Sequence, residues 1–295
     1  MIRPLLTVGL IAAIAWPLHA ALAEDREQER AEKFDSEHMF GFTTGSDIGE
    51  PRSTEVESET IGRIGKRMGT YGAFSTTFEY KYTLNDSLRI SPGGTWSVYN
   101  IAGVPNLDDR RQLAIQGYSV EFSYRFLDRQ KAPFGVTLNV VPAWNGRDEA
   151  TGAHVDQYGA EISLLVDREM IADKLFGALN VIYDPATTRT RATGLWDRDA
   201  TVGLGAALTA RVTSNLFLGV ETRYLRKYDS LSLDDFAGQA LYVGPTFYIK
   251  ISDRWSLAGA WNMQVAGRAV DETGALDLTN FDRHQVKLRV SAELE

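Results

Sequence analysis

The last stretch of the chain, His284-Gln-Val-Lys-Leu-Arg-Val-Ser-Ala-Glu-Leu-Glu295, alternates apolar and polar residues. Val286, Leu288, Val290, Ala292 and Leu294 fall on one side, and Gln285, Lys287, Arg289, Ser291 and Glu293 on the other. Side chains of a strand alternate with period two, so this segment reads as a ribbon with one apolar and one charged face. The pattern recurs along the chain, with short turns and longer loops taking turns between the repeats. That arrangement predicts an all-β, antiparallel up-and-down transmembrane β-barrel of about twelve strands, with ten or fourteen as alternatives.

A faint first strand is expected over Glu37–Ile48, marked by Met39-Phe40-Gly41-Phe42, with a polar loop to Gly69 after it. Tyr71–Leu84 is among the clearest strands: Phe74, Thr76, Phe78, Tyr80, Tyr82 and Leu84 share one face. Strand three passes through Leu88, Ile90, Trp96 and Val98, with a bulge or bend expected at Pro92-Gly93-Gly94. Strand four turns Tyr118, Val120, Phe122, Tyr124 and Phe126 outward. The remaining strands are expected at Phe134–Trp144, Gln157–Asp167, Leu175–Tyr183, Ala200–Val212, Leu216–Tyr228, Gln239–Ile251, Trp255–Val265 and the closing segment. Links around 49–69, 100–111, 145–156, 185–199, 229–238 and 266–283 read as long loops; the others are short. Bacterial barrels keep short turns in the periplasm and long loops outside. Aromatic girdles are expected from Tyr71, Trp144, Tyr158, Tyr183 and Trp261 toward the loops, and from Tyr82, Phe126, Phe134, Phe247 and Trp255 toward the turns. A periplasmic sandwich would share the alternation but has no reason to gather its long loops at one end.

Residues 1–23 read as a secretory signal: Arg3, an apolar run from Leu5 to Trp16, and the small-residue site Ala21-Leu22-Ala23. Residues 24–35 form a charged periplasmic lead-in, and 36–295 the barrel. An alternative has Glu24–Lys33 tucking into the barrel mouth. The net charge of −8 becomes one more negative when Arg3 is removed with the signal, which argues against nucleic acid as a partner. The chain has no cysteine. A mean hydropathy of −0.22 suits a barrel, in which only every second strand residue meets lipid.

The non-lipid face is ionisable. Glu79, Glu121, Glu161 and Glu221 are expected in the lumen, with Arg89, Arg125, Arg211, Arg223, Lys250, Lys287 and Arg289. They either interlock and fill it or line an aqueous path. Eight strands leave a filled interior and sixteen to eighteen an open channel, so twelve lies between. The small inward residues Gly203, Gly205, Ala207, Ala258 and Ala260 leave space and favour a narrow passive channel for small charged solutes. The alternative is a non-conducting structural or surface-binding barrel. A third reading is a surface hydrolase, in which Asp282-Arg283-His284 and Asp197-Arg198-Asp199 activate water. Those six residues loosely resemble the omptin proteases, and no others do. No phosphate loop or metal-ligand spacing is present, so no cofactor is expected. The expected partners are outer-membrane lipid and lipopolysaccharide, the barrel assembly machinery and small solutes.

Four segments carry a wider resemblance: His38-Met39-Phe40-Gly41-Phe42-Thr43, Asp128-Arg129-Gln130-Lys131-Ala132-Pro133-Phe134-Gly135, Phe236-Ala237-Gly238-Gln239-Ala240-Leu241 and Leu278-Thr279-Asn280-Phe281. Through them the chain resembles a family of alphaproteobacterial outer-membrane β-barrel proteins without a defined function. The resemblance implies fold and location, and no catalytic residues. One departure is the ending Leu294-Glu295, where such barrels usually carry a terminal aromatic that the assembly machinery recognises.

Overall fold

The structure is a computed structural model that describes residues 36–270 and 272–294. The signal peptide and the charged lead-in lie outside the described residues. Twelve antiparallel strands close into a barrel. They are β1 (Thr54–Ile64), β2 (Thr70–Asn85), β3 (Leu88–Ala102), β4 (Arg110–Leu127), β5 (Gly135–Arg147), β6 (His154–Ile171), β7 (Leu175–Thr190), β8 (Trp196–Arg211), β9 (Leu216–Tyr228), β10 (Phe236–Lys250), β11 (Trp255–Ala269) and β12 (His284–Leu294). Each strand pairs with its neighbours in sequence, and β1 pairs with β12 from Thr54↔Leu294 to Ile64↔His284. Closure leaves no strand edge, which hydrocarbon demands because it offers no partner to a bare N–H or C=O.

The barrel is polar within and apolar without. Ser97, Ser123, Thr137 and Asn262 are fully buried, whereas Leu204, Val220 and Leu288 are about half exposed, at 52%, 58% and 49%. This is the reverse of a soluble sandwich, and the exposed apolar belt is the lipid-facing surface. Tyr158 and Trp261 near the loop end, and Tyr82, Phe126 and Trp255 near the turn end, stand exposed on that surface as girdle residues should. Tyr71 does not join them. It shares the phase of Ser75 and Lys81, faces inward, and donates its hydroxyl to the Ala150 carbonyl at 2.9 Å.

Two expectations need correction. The segment Glu37–Ile48 is not a strand, and the first stave is β1, inside the stretch read as a polar loop. The outward face of β1 is Thr54, Val56, Ser58, Thr60, Gly62 and Ile64, too weakly apolar to mark a lipid-facing strand. The long loops are also shorter than expected. β4 and β6 each run 18 residues, well beyond the roughly 9–11 that cross a bilayer, and the excess absorbs the links. Only the β11–β12 connection, residues 270–283, stays long. At Pro92 the strand itself is continuous, but the β2 ladder skips Ser91 and Pro92, resuming at Gly93↔Glu79.

Leu288 sits mid-strand on the lipid face of β12. Leu288→Arg is expected to cost about 2–4 kcal/mol in urea unfolding of the barrel from phospholipid vesicles. A cost near zero would place residue 288 away from hydrocarbon.

Candidate functional site: an occupied lumen

The turn-end half of the lumen is filled by residues 36–49, which precede β1. Met39, Phe40 and Ile48 are at most 1% exposed. Gly41 allows the close approach: a Cβ there would lie 2.6 Å from Ala260 Cβ and 2.8 Å from Thr246 Cγ2. An irregular backbone buried in this way must find its hydrogen bonds elsewhere. The inward side chains of the staves supply them. Glu221 on β9 accepts the N–H groups of Phe42 and Thr43, at 3.0 and 2.9 Å. Asn180 on β7 imitates a peptide unit, accepting Thr44 N–H at 2.7 Å and donating to Thr44 O at 2.8 Å. Thr209, Thr137 and Thr83 donate to the carbonyls of Met39, Ser46 and Ile48, and the Ser46 hydroxyl donates to Asp167.

Charges seat the same segment. Lys81 lies 2.9 Å from Glu37 and 2.6 Å from Glu57, and Arg89 grips both oxygens of Glu37 while reaching Glu121 at 2.9 Å. His38 places Nε2 3.0 Å from Glu55 and Nδ1 3.1 Å from the Arg289 guanidinium. Asp47 meets Arg125 at 3.2 Å and Arg129 at 3.5 Å. Ten strands, β1 to β9 and β12, thus hold the segment by hydrogen bond or ion pair among the described residues. Arg129 comes from the β4–β5 turn, outside the spanning strands. Burial opposes the charge on neighbouring Asp128, yet the Gln130 N–H and the Arg125 guanidinium hold its carboxyl below the usual range.

Beyond this plug the lumen opens into a cavity of about 460 Å³. Glu37, Phe42 and Thr44 contribute to its floor. Phe42 lies under the Arg223 guanidinium at 3.8 Å, and Arg223 also donates to Gln285. At the loop end, Tyr99 donates to Asp148 O at 3.0 Å and Arg63 pairs with Glu149 at 2.7 Å, drawing the β5–β6 loop inward. The β11–β12 loop is drawn in by Lys66, 2.9 Å from Asp282, and by Tyr242, which donates to Asp282 O at 2.6 Å.

Of the residues expected in the lumen, Glu79, Glu121, Glu161, Arg223, Lys287 and Arg289 line the cavity. Glu221 and Arg125 bind the plug instead. Arg211 and Lys250 lie elsewhere, at the turn rim: Arg211 donates to Thr213 O and Ser214 O, and Lys250 pairs with Asp253. Lys287 and Arg289 pair with Glu59 at 2.9 and 2.5 Å, and Arg289 also with Glu57 at 3.2 Å. Those glutamates were missed because β1 was read as loop, although Glu55, Glu57 and Glu59 alternate with strand period. The roles of Glu37, His38 and Asp47 were missed because nothing local marks a segment that enters a lumen.

The residues proposed for hydrolysis are not assembled. Asp282 is buried against Lys66, while His284 shares the outward phase of Leu288 and lies beside Trp261. Asp197 and Asp199 are on β8, with three strands between it and β12. Glu37, His38 and Glu57 bring ligand atoms within 4.8 Å of one another. Lys81, Arg89 and Arg289 already neutralise that group, and a metal ion there would face three cations.

An apolar exterior, a closed twelve-stranded wall and a charged lumen define a transmembrane β-barrel of the outer-membrane type. The chain belongs to the family of unknown function DUF6662, which matches residues 32–294, lumen segment and barrel together. No curated protein sequence matches it. Among solved structures it is similar to an outer membrane channel from Pseudomonas putida F1, with a TM-score of 0.58, 10% identity, and coverage of 84% of this chain and 98% of that one. It is also similar to the beta domain of the Bordetella autotransporter BrkA, with a TM-score of 0.50, 11% identity, and coverage of 82% and 100%. At such identities the likeness is one of fold.

Glu221→Ala would leave two plug N–H groups without an acceptor, at about 1–3 kcal/mol each. Amide exchange at Phe42 and Thr43 is therefore expected to speed up about 10- to 100-fold, read by hydrogen–deuterium exchange on the detergent-folded protein. Unchanged protection would mean that other contacts hold the segment.

Proposed function

We propose that the protein is a narrow outer-membrane channel for small charged solutes, closed at its turn end by its own residues 36–49. The reading takes the host to be a Gram-negative bacterium, in line with the alphaproteobacterial resemblance. The signal is cleaved near Ala23, the turn end is periplasmic, and lipid, lipopolysaccharide and the assembly machinery are the envelope partners. One observation carries the reading: a polar cavity of about 460 Å³ is floored by a segment that no strand pairing holds. Its polar contacts to the wall are side-chain hydrogen bonds and ion pairs, which can exchange for water without breaking the barrel. The likeness of the barrel to an outer membrane channel supports the same reading. A second reading, a non-conducting barrel that binds at its surface, is favoured by how completely Met39, Phe40 and Ile48 are buried.

Planar-bilayer recording separates the two. The wild-type barrel is expected to be closed for most of the time, with rare, small openings. Glu37→Gln breaks a buried ion-pair network that typically costs about 3–5 kcal/mol to disrupt, so open probability is expected to rise at least about tenfold. Silence from both proteins, each shown folded by heat-dependent gel mobility, would leave the surface-binding reading.

A further inference from the structure

We propose that the lumen cavity is a binding site for a small organic cation carrying primary ammonium groups, with Glu79 and Glu161 as its counter-charges and Asn139 as a neutral acceptor. Most cations near the cavity are committed to carboxylates. Arg63 pairs with Glu149, Lys287 with Glu59, Arg289 with Glu57 and Glu59, and Lys81 with Glu37 and Glu57. Glu121 is taken by Arg89. Among the described residues, no cation lies within ion-pair distance of Glu79 or Glu161. Both line the cavity. Arg223 is held on the floor, stacked on Phe42 and bonded to the neutral Gln285.

Asn139 points to a donor-bearing ligand independently. It lines the same cavity, is 7% exposed, and its Oδ1 has no hydrogen-bond partner. Its orientation is fixed, because Nδ2 donates to Glu121 Oε2 at 3.3 Å and an ionised carboxylate can only accept. The remaining Oδ1 is a buried acceptor short of a donor, which an ammonium N–H satisfies.

The register places these groups close to one row across the wall. The row of paired residues from Glu79 runs through Gly93, Ser119 and Ala143 to Gly159, two residues from Glu161. Val141 faces Glu161 across the β5–β6 pair, so Asn139 is its diagonal neighbour at roughly 7–8 Å between Cα atoms. Gly93 clears space over Glu79: a Cβ there would lie 3.0 Å from Glu79 Cγ. The volume lies within the range of about 300–1,000 Å³ typical of small-molecule sites.

Calorimetric titration of the intact, detergent-folded protein with cadaverine tests the site, with glutarate as the anion of matched length. Saturable cadaverine binding is expected, weakened at least about tenfold by Glu79→Gln or Glu161→Gln, each near-isosteric. Asn139→Leu is expected to weaken it without changing any charge. Glutarate is expected not to bind. Binding of glutarate in preference, no binding of either probe, or cadaverine affinity indifferent to both glutamine variants would each overturn the proposal. The inference extends the channel reading by naming a solute class, yet titration needs no current. Cadaverine binding to a silent barrel keeps the site and removes the channel; current without cadaverine binding does the reverse.

Discussion

The pairing of β1 with β12 is the constraint on which the rest of the structure depends. Without it the sheet would present two bare edges to hydrocarbon, where each unpaired N–H or C=O costs several kcal/mol. With it, the eleven-residue β1 becomes the closing stave, and residues 36–53 lie outside the ring of strands. The same closure sets Glu57 and Glu59 beside Lys287 and Arg289, so the seam is tied by charge as well as by backbone.

The lumen segment is a consequence of that seam. The residues just ahead of β1 start at its turn end and turn into the interior, where apolar Met39 and Phe40 escape water and the backbone finds acceptors and donors on the staves. The cost of dehydrating so many charges is offset by mutual pairing, as at Lys81 between Glu37 and Glu57. Such a network specifies one seat for the segment. It is also non-covalent and hydrophilic, unlike the ladder that holds the wall. The wall is held by a continuous backbone ladder, and the polar contacts of the filling are made by side chains.

The wall was largely legible. From β2 to β12 the apolar residues recur at period two, and the expected centres of strands such as Tyr71–Leu84 and Leu216–Tyr228 match the observed ones. The misses share one cause. Met39-Phe40-Gly41-Phe42 carries the apolar residues that a lipid-facing strand needs, yet it is buried in the lumen; Thr54–Ile64 lacks them, yet it is a stave. Hydrophobicity reports a wish to leave water, and a barrel offers two ways to do so: outward into lipid, or inward against a plug. Tyr71 failed for a related reason. Its place near a strand end suggested a girdle, but its phase put it inside.

By itself, the sequence determined that strands with one apolar and one ionisable face would close into a membrane barrel, because period two and turn spacing are local properties. It also determined that the lumen would be charged. Which glutamate meets which cation was decided only in three dimensions, since Glu59 and Arg289 are joined by a seam between the two ends of the barrel chain. The same holds for the filling: Glu221 accepts from Phe42 across 179 residues, and Glu79 on β2 and Glu161 on β6, four strand pairings apart, line one cavity. Alternation says which side of a strand a residue occupies. Only the closed ring says what stands opposite it.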